Sequence, residues 1–186
     1  MLIRRERTGD AAAIDAVHRG AFGASPDRPA AADGDSSSSH ASGDPVEVGL
    51  VHTLRDDAAV WVPTLSLVAE VHDRVVGHVC LTRATVGPFP VLALGPLGVL
   101  PNHQAAGIGS ALMHAALGAA DALDEPLVGL LGSLEYYPRF GFVPGARVGI
   151  IPDQPDWATH FQVRTLTAYE LEIKGDFHYA EAFYKL

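Results

Sequence analysis

Two short stretches of this sequence combine residue types and spacing that could do chemistry. The first is Leu97-Gly98-Val99-Leu100-Pro101-Asn102-His103-Gln104-Ala105-Ala106-Gly107-Ile108-Gly109-Ser110. An apolar strand runs into a short loop, and the loop into a predicted helix that opens on Gly-Ile-Gly. A helix start presents backbone N–H groups that have no partner within the helix, on an end carrying partial positive charge. Glycines there remove side chains that would keep a ligand away. Such a site holds phosphate or pyrophosphate on backbone amides rather than on lysine. It is not a P-loop, because no Gly-Lys-Ser/Thr follows. Nor is it the dinucleotide fingerprint, since Leu112 stands at the third glycine position.

The strand before the loop carries Gly95-Pro96. Proline cannot donate to a sheet ladder, so a Gly-Pro pair inside a buried strand implies a bulge where the neighbouring strand parts company. Backbone groups of Leu97 and Val99 would then be free to pair with an amide-bearing ligand, as an added strand would. The second stretch is Ser133-Leu134-Glu135-Tyr136-Tyr137-Pro138-Arg139-Phe140-Gly141-Phe142, at the next strand-to-helix junction. Tyr137 lies one turn before Gly141. A phenol there can serve as a proton donor; taken by itself, packing in the core is the plainer reading.

The elements that must position these groups follow from hydrophobic spacing. Residues 2–5, 65–71, 74–86, 91–99, 127–131 and 161–172 read as strands, with a tight turn at His72-Asp73 making an antiparallel hairpin. The run 91–99 is almost wholly apolar and so buried on both faces. Helices are predicted from Gly9-Asp10 through Phe22, over 46–57, over 107–123 and over 134–140, the last stopped by Gly141. In the third, Ile108, Leu112, Ala115, Ala119 and Leu123 form the buried stripe. Hairpins mixed with crossovers argue for one α/β domain on a mixed sheet. Between Ala24 and Asp44 there is no large apolar residue, so 24–44 reads as a flexible loop, either a tolerated insertion or a lid over a substrate.

Composition narrows the function. The 186 residues are 48% hydrophobic and carry a net charge of −9, with no Lys/Arg cluster. That excludes a nucleic-acid-binding surface and leaves an anion to be bound by local dipoles. The single cysteine, Cys80, allows no internal disulfide and points to a reducing compartment. Its mid-strand, apolar-flanked position reads as core rather than as a nucleophile. No signal-like segment or membrane-length apolar run is present, so a soluble cytoplasmic protein without membrane contact is expected. The histidines show no ligand spacing, and no metal is expected.

Together, Leu97-x-Val99, Gln104-x-x-Gly107-x-Gly109 and Tyr137-x-x-x-Gly141-Phe142 resemble the GNAT superfamily of acyl-CoA-dependent N-acetyltransferases. The paired tyrosines, Gly95-Pro96-Leu97 and Gly77-His78-Val79 are similar to predicted acetyltransferases of the YhbS type. The likeness covers roughly residues 1–172. It implies a single domain over 1–186, an α/β (α+β) fold with a mixed, mostly antiparallel sheet splayed at the fourth strand, and helices on both faces. It implies acetyl-CoA as cosubstrate. Amides of Ala105, Ala106, Gly107, Ile108, Gly109 and Ser110 would hold the pyrophosphate, with Gln104 at the first motif position, often arginine in the family. The pantetheine arm would lie along Leu97, Gly98 and Val99. A backbone N–H there would polarise the thioester carbonyl, and Tyr137 would be the general acid for the departing thiolate.

The general base stays open. Residues 91–99 carry no Asp, Glu or His, which leaves His78 on the adjacent strand, Glu70, or a water chain to either. The resemblance implies transfer to a primary amine, on a small molecule or a protein. The alternative is a non-catalytic acyl-CoA-binding sensor or scaffold. Exposed strand edges in the C-terminal part make a homodimer reasonable.

Overall fold

β1 (Leu2–Arg5), β2 (Trp61–Val71), β3 (Arg74–Val86) and β4 (Phe89–Val99) pair antiparallel, each with the next. His72 and Asp73, at φ 48° and 60°, supply the left-handed pair that a two-residue hairpin with right-handed twist needs. A crossover through one helix leads to β5 (Leu127–Leu131), which runs parallel to β4. Four short strands follow: β6 (Val143–Pro144), β7 (Ile150–Pro152), β8 (Phe161–Thr165) and β9 (Gly175–His178). The sheet order is β1-β2-β3-β4-β5-β8-β6, and β9 joins β7 to the far end of β3. The computed structural model describes residues 1–23 and 43–185. The predicted flexible loop over 24–44 therefore lies outside the described residues except for Gly43 and Asp44.

Helices cover both faces of the sheet. α1 (Ala11–Phe22) and α2 (Val46–Asp56) bury Ile14, Val17, Val51 and Leu54 on one side. α3 (Ile108–Asp121) covers the other, packing Leu112, Met113 and Ala116 on Leu65, Leu67, Val79 and Leu81. Because side chains alternate along a strand, Ser66 and Val68 of β2 face the α1/α2 layer while Leu65, Leu67 and Ala69 face α3. Among the described residues, no helix is long and apolar enough to cross a membrane.

The Gly95-Pro96 bulge is present. Val79 pairs with Leu97 but Leu81 with Leu94, so two residues of β4 oppose Cys80 alone. The inserted residue reverses the facing of β4: Leu92 and Leu94 pack toward α3 before it, Leu97 and Val99 after it. Gly95 is required there, because a Cβ would sit 2.6 Å from Cys80 Sγ.

Several elements differ from their predicted bounds. The predicted helix over 134–140 is only a 3-10 turn, Tyr137–Phe140. Pro138 has no N–H to continue a helical ladder and disfavours helical geometry at Tyr137. The predicted strand over 161–172 stops at Thr165, opposite Leu127, the first residue of β5. Beyond it, Leu166 N–H bonds Pro126 O at 2.8 Å and Thr167 N–H is taken by Asp121 at 2.8 Å. α3 ends before Leu123, which is exposed rather than part of the buried stripe. β2 begins four residues before the predicted Leu65, and the C-terminal segment, unassigned from sequence, forms β9 and a 3-10 turn over Glu181–Lys185.

Candidate active site

β4 and β5 are paired only at Leu92–Val128 and Ala93–Gly129. Past the bulge they separate, and a cleft of about 880 Å³ opens between them. Leu100 N–H bonds Val76 O on β3 at 2.9 Å. In an antiparallel pair the bonding direction alternates by residue, so Gly98 also faces β3, while the N–H and C=O groups of Leu97 and Val99 face the cleft. Gln104 Nε2 donates to Val99 O at 2.9 Å, which is the same orientation seen from the other side. The Gln104 amide is thus turned back onto the strand.

One end of the cleft is the loop leading into α3. Ala105 and Gly107 take positive φ of 57° and 81°, and Gly107 caps the helix. Alternation of left- and right-handed residues turns successive N–H groups into one concavity. The first bond of α3 runs from Ala111 N–H to Gly107 O at 2.9 Å. The amides of Ile108, Gly109 and Ser110 therefore have no partner within the helix. A Cβ on Gly107 would meet nothing within 4 Å, so the concavity is open; one on Gly109 would lie 2.9 Å from Tyr136 Oη.

The other end is held by the loop after β5. Ser133 Oγ accepts from the amides of Glu135 and Tyr136, both at 3.2 Å, and Gln162 Nε2 donates to Gly132 O at 3.2 Å. Gly141, at φ 83°, ends the turn, and Arg164 donates to Phe140 O. These bonds aim Tyr136 and Tyr137 into the cleft. The Tyr137 ring lies on Gly132, where a Cβ would be 2.3 Å from it, and meets Phe142 edge-on. Burial pushes the Tyr137 hydroxyl up to about 12, and Tyr136 beside it adds to the shift. It is a hydroxyl that keeps its proton and can donate it. Arg139 stacks on Tyr136 at 4.8 Å and brings a positive charge to the same wall.

Of the cofactor-binding and catalytic residues named from the sequence, all but Gly98, Ala106, His78 and Glu70 line this cleft. Gly98 is on the strand but turns its missing side chain toward α1, 2.9 Å from His18 Nδ1. His78 is fully buried in the α1/α2 layer. Its Nδ1 is 2.8 Å from His18 Nε2, and its Nε2 is 3.0 Å from Ser66 Oγ. Ser66 Oγ in turn donates to Glu6 Oε2. Arg55 Nε comes within 2.9 Å of Glu6 Oε1, an ion pair poorly aligned for a hydrogen bond. Glu70, the other candidate base, is bonded to Arg4 at 2.8 Å and lines no part of the cleft. Cys80 is fully buried, and burial pushes its thiol up to about 12, away from nucleophilic character. Among the described residues, no group of three His, Cys, Asp or Glu could hold a metal ion.

Known proteins share this sequence pattern and fold. Residues 39–142 match the model of the acetyltransferase (GNAT) family. The chain belongs to the GNAT family. This GNAT chain is 32% identical over 143 residues to a protein of Escherichia coli K12 named Uncharacterized N-acetyltransferase YjhQ, spanning 73% of this chain and 78% of that one. Among solved structures it is similar to the GNAT family N-acetyltransferase YhbS of Escherichia coli, determined in complex with CoA. There the TM-score is 0.80 at 27% identity, over 98% of this chain and 91% of that one. A GNAT family acetyltransferase of Brucella melitensis in complex with acetyl-CoA gives a TM-score of 0.72 at 31% identity, over 98% of this chain and 97% of that one.

By family, then, the chain is an N-acetyltransferase. The mostly antiparallel, splayed sheet expected from its motifs is the GNAT architecture. Reading the sequence did not single out Glu6, His18, Ser66, Arg139 or Gln162. One signal was available: His18 sits four residues after Ile14 and four before Phe22, on the apolar stripe of α1. The partners that make it polar come from elements far away in sequence.

Proposed function

We propose that this GNAT protein moves an acetyl group from acetyl-CoA to a primary amine, by direct attack in a ternary complex. The observation that carries the reading is the loss of β4–β5 pairing beyond Ala93. It opens one continuous cleft from the amides ahead of α3, along the edge of Leu97 and Val99, to Tyr137.

The residues present fit the donor. Acetyl-CoA supplies a pyrophosphate, an arm bearing amides, and an activated thioester. Amides from Ala105 to Ser110 would hold the pyrophosphate at the helix start, where dipole and free N–H groups favour negative charge. Gln104, already bonded to Val99 O, would contribute little charge and would hold the loop against the strand. The amides of Leu97 and Val99 would pair with the arm, and one of them would polarise the thioester carbonyl.

Holding amine and thioester in one cleft converts a bimolecular step into a local one. As the carbon–sulfur bond breaks, Tyr137 donates to the sulfur. With its hydroxyl at about 12, against about 8.5 for a reference thiol, tyrosine stabilises the thiolate through a donated hydrogen bond rather than by full proton transfer.

Thiol release from acetyl-CoA in the presence of a panel of primary amines tests this. Turnover that depends on the amine is expected. Tight acetyl-CoA binding with no turnover on any amine would overturn it in favour of an acyl-CoA sensor.

A further inference from the structure

Under α1 and α2, the sheet carries a row of buried polar side chains that the steps above do not use. Glu6 beyond β1, Ser66 on β2, His78 on β3 and His18 on α1 touch in that order. The row ends at His18 Nδ1, a fully buried nitrogen without a hydrogen-bond partner. That nitrogen lies against Gly98, and the His18 ring stacks on Phe22, which lines the cleft.

The direction of every hydrogen bond in the row follows from its far end. The Glu6 carboxylate, paired with Arg55, only accepts, so the Ser66 hydroxyl proton points to it. Ser66 Oγ must then accept from His78 Nε2–H. A neutral imidazole protonated at Nε2 has a lone pair at Nδ1, which accepts from His18 Nε2–H. His18 is left with a lone pair at Nδ1. Both rings are neutral because burial holds His78 well below its usual value and His18 at about 4. The charged and titratable groups around them are Asp15 on α1, itself 2.9 Å from His52, Arg55 on α2, Glu6 beyond β1, and Asp10 before α1. Asp15 opposes the fall at His18 and Arg55 deepens it.

We propose that this row is the route by which the acceptor amine loses its proton, with His18 Nδ1 as the receiving atom and His78 as the second link. The proposal rests on the acetyltransferase reading of the cleft. The acceptor arrives as an ammonium in the cleft beside Phe22, and one N–H bond breaks as its proton passes through water to the buried His18 Nδ1 behind that ring. His18 Nε2–H then moves to His78 Nδ1, His78 Nε2–H to Ser66 Oγ, and the Ser66 proton to Glu6 Oε2. The row ends with a neutral Glu6 carboxyl and two imidazoles protonated at Nδ1. No charge stays beside the thioester, and the neutral amine is free to attack; the second proton that its nitrogen loses as the amide forms goes to the departing thiolate beside Tyr137. Glu6, still partly exposed, returns the proton to water.

The test has two arms. Imidazole nitrogen spectra of the ¹⁵N-labelled protein at pH 7, without ligand, should show His18 and His78 as neutral Nε2–H tautomers. Ser66→Ala should scramble the His78 tautomer. A His18 protonated at Nδ1 would overturn the direction of the row whether or not the protein acetylates anything. The second arm follows thiol release with alkylamines, which arrive as ammonium ions, and with arylamines, which are neutral in water at pH 7. His18→Gln should slow alkylamine turnover about a hundredfold and leave arylamine turnover and acetyl-CoA affinity nearly unchanged. Ser66→Ala should do the same more weakly, which keeps the test open if His18→Gln fails to fold. Equal losses with both classes of amine would make His18 merely structural and would overturn the proposal.

Discussion

The two sides of β4 from Leu97 to Val99 are built in opposite ways. Toward the cleft, the strand offers backbone amides, continued by the free amides ahead of α3. Toward α1 and α2, it faces fully buried histidines tied to serine and a carboxylate. Backbone dipoles have no titration, so they suit a phosphate ligand whose charge is constant. Buried imidazoles can change charge, so they suit a proton. The second device has a cost in stability that the first lacks, because burying a neutral histidine penalises the folded state wherever the unfolded chain can be protonated.

Acid should therefore break the α1/α2 side first, and this is the largest effect expected. His18 is held at about 4 in the folded protein, against about 6.5 when unfolded. A depressed basic group leaves stability intact above the unfolded value and lowers it as pH falls from there to the folded value. His18 alone should remove roughly 3 kcal/mol between about pH 6.5 and pH 4, and His78 acts in the same direction. Urea unfolding across that range should show a shallower slope for His18→Gln than for the parent; equal slopes would erase the contrast.

On the cleft side, Tyr137→Phe should lower kcat about a hundredfold while acetyl-CoA affinity stays within about twofold. Full kcat would remove Tyr137 from the reaction. Gly98→Ala divides the two sides at one residue. Its Cβ would come 2.9 Å from His18 Nδ1 and so displaces that ring. A drop in kcat of roughly tenfold, with acetyl-CoA affinity kept, is expected. A loss of affinity instead would mean that the two sides are not separate. Least of all should change with Cys80→Ala: kcat within about twofold of the parent, since a thiol raised to about 12 supplies no thiolate. A collapse in kcat without unfolding would reopen an acetyl-cysteine route.

How far each side could be read from sequence follows the same division. Gly95-Pro96, Gly107-Ile108-Gly109 and Tyr137 act through local rules of backbone geometry, so the bulge, the helix start and the tyrosine before Gly141 were legible in one short window each. The β2–β3 hairpin was legible because its strands are largely apolar and its turn at His72-Asp73 is tight. The buried row was not. His18 and His78 are 60 residues apart, as are Ser66 and Glu6; the packing of α1 on the sheet brings the first pair together, and the pairing of β1 with β2 the second. Likewise, residues 166–172 are apolar enough to resemble a strand. They leave the sheet because β5 begins only at Leu127, opposite Thr165, and Asp121 captures Thr167.

The central claim is that the backbone amides around Gly107 hold the pyrophosphate of acetyl-CoA. Calorimetric titration of acetyl-CoA into the parent protein and into Gly107→Val, with thermal melts to show that both are folded, tests it most directly. Valine at φ 81° is strained and places a branched side chain in the open concavity, so affinity should fall at least about tenfold. Equal affinity in the two proteins would contradict the account.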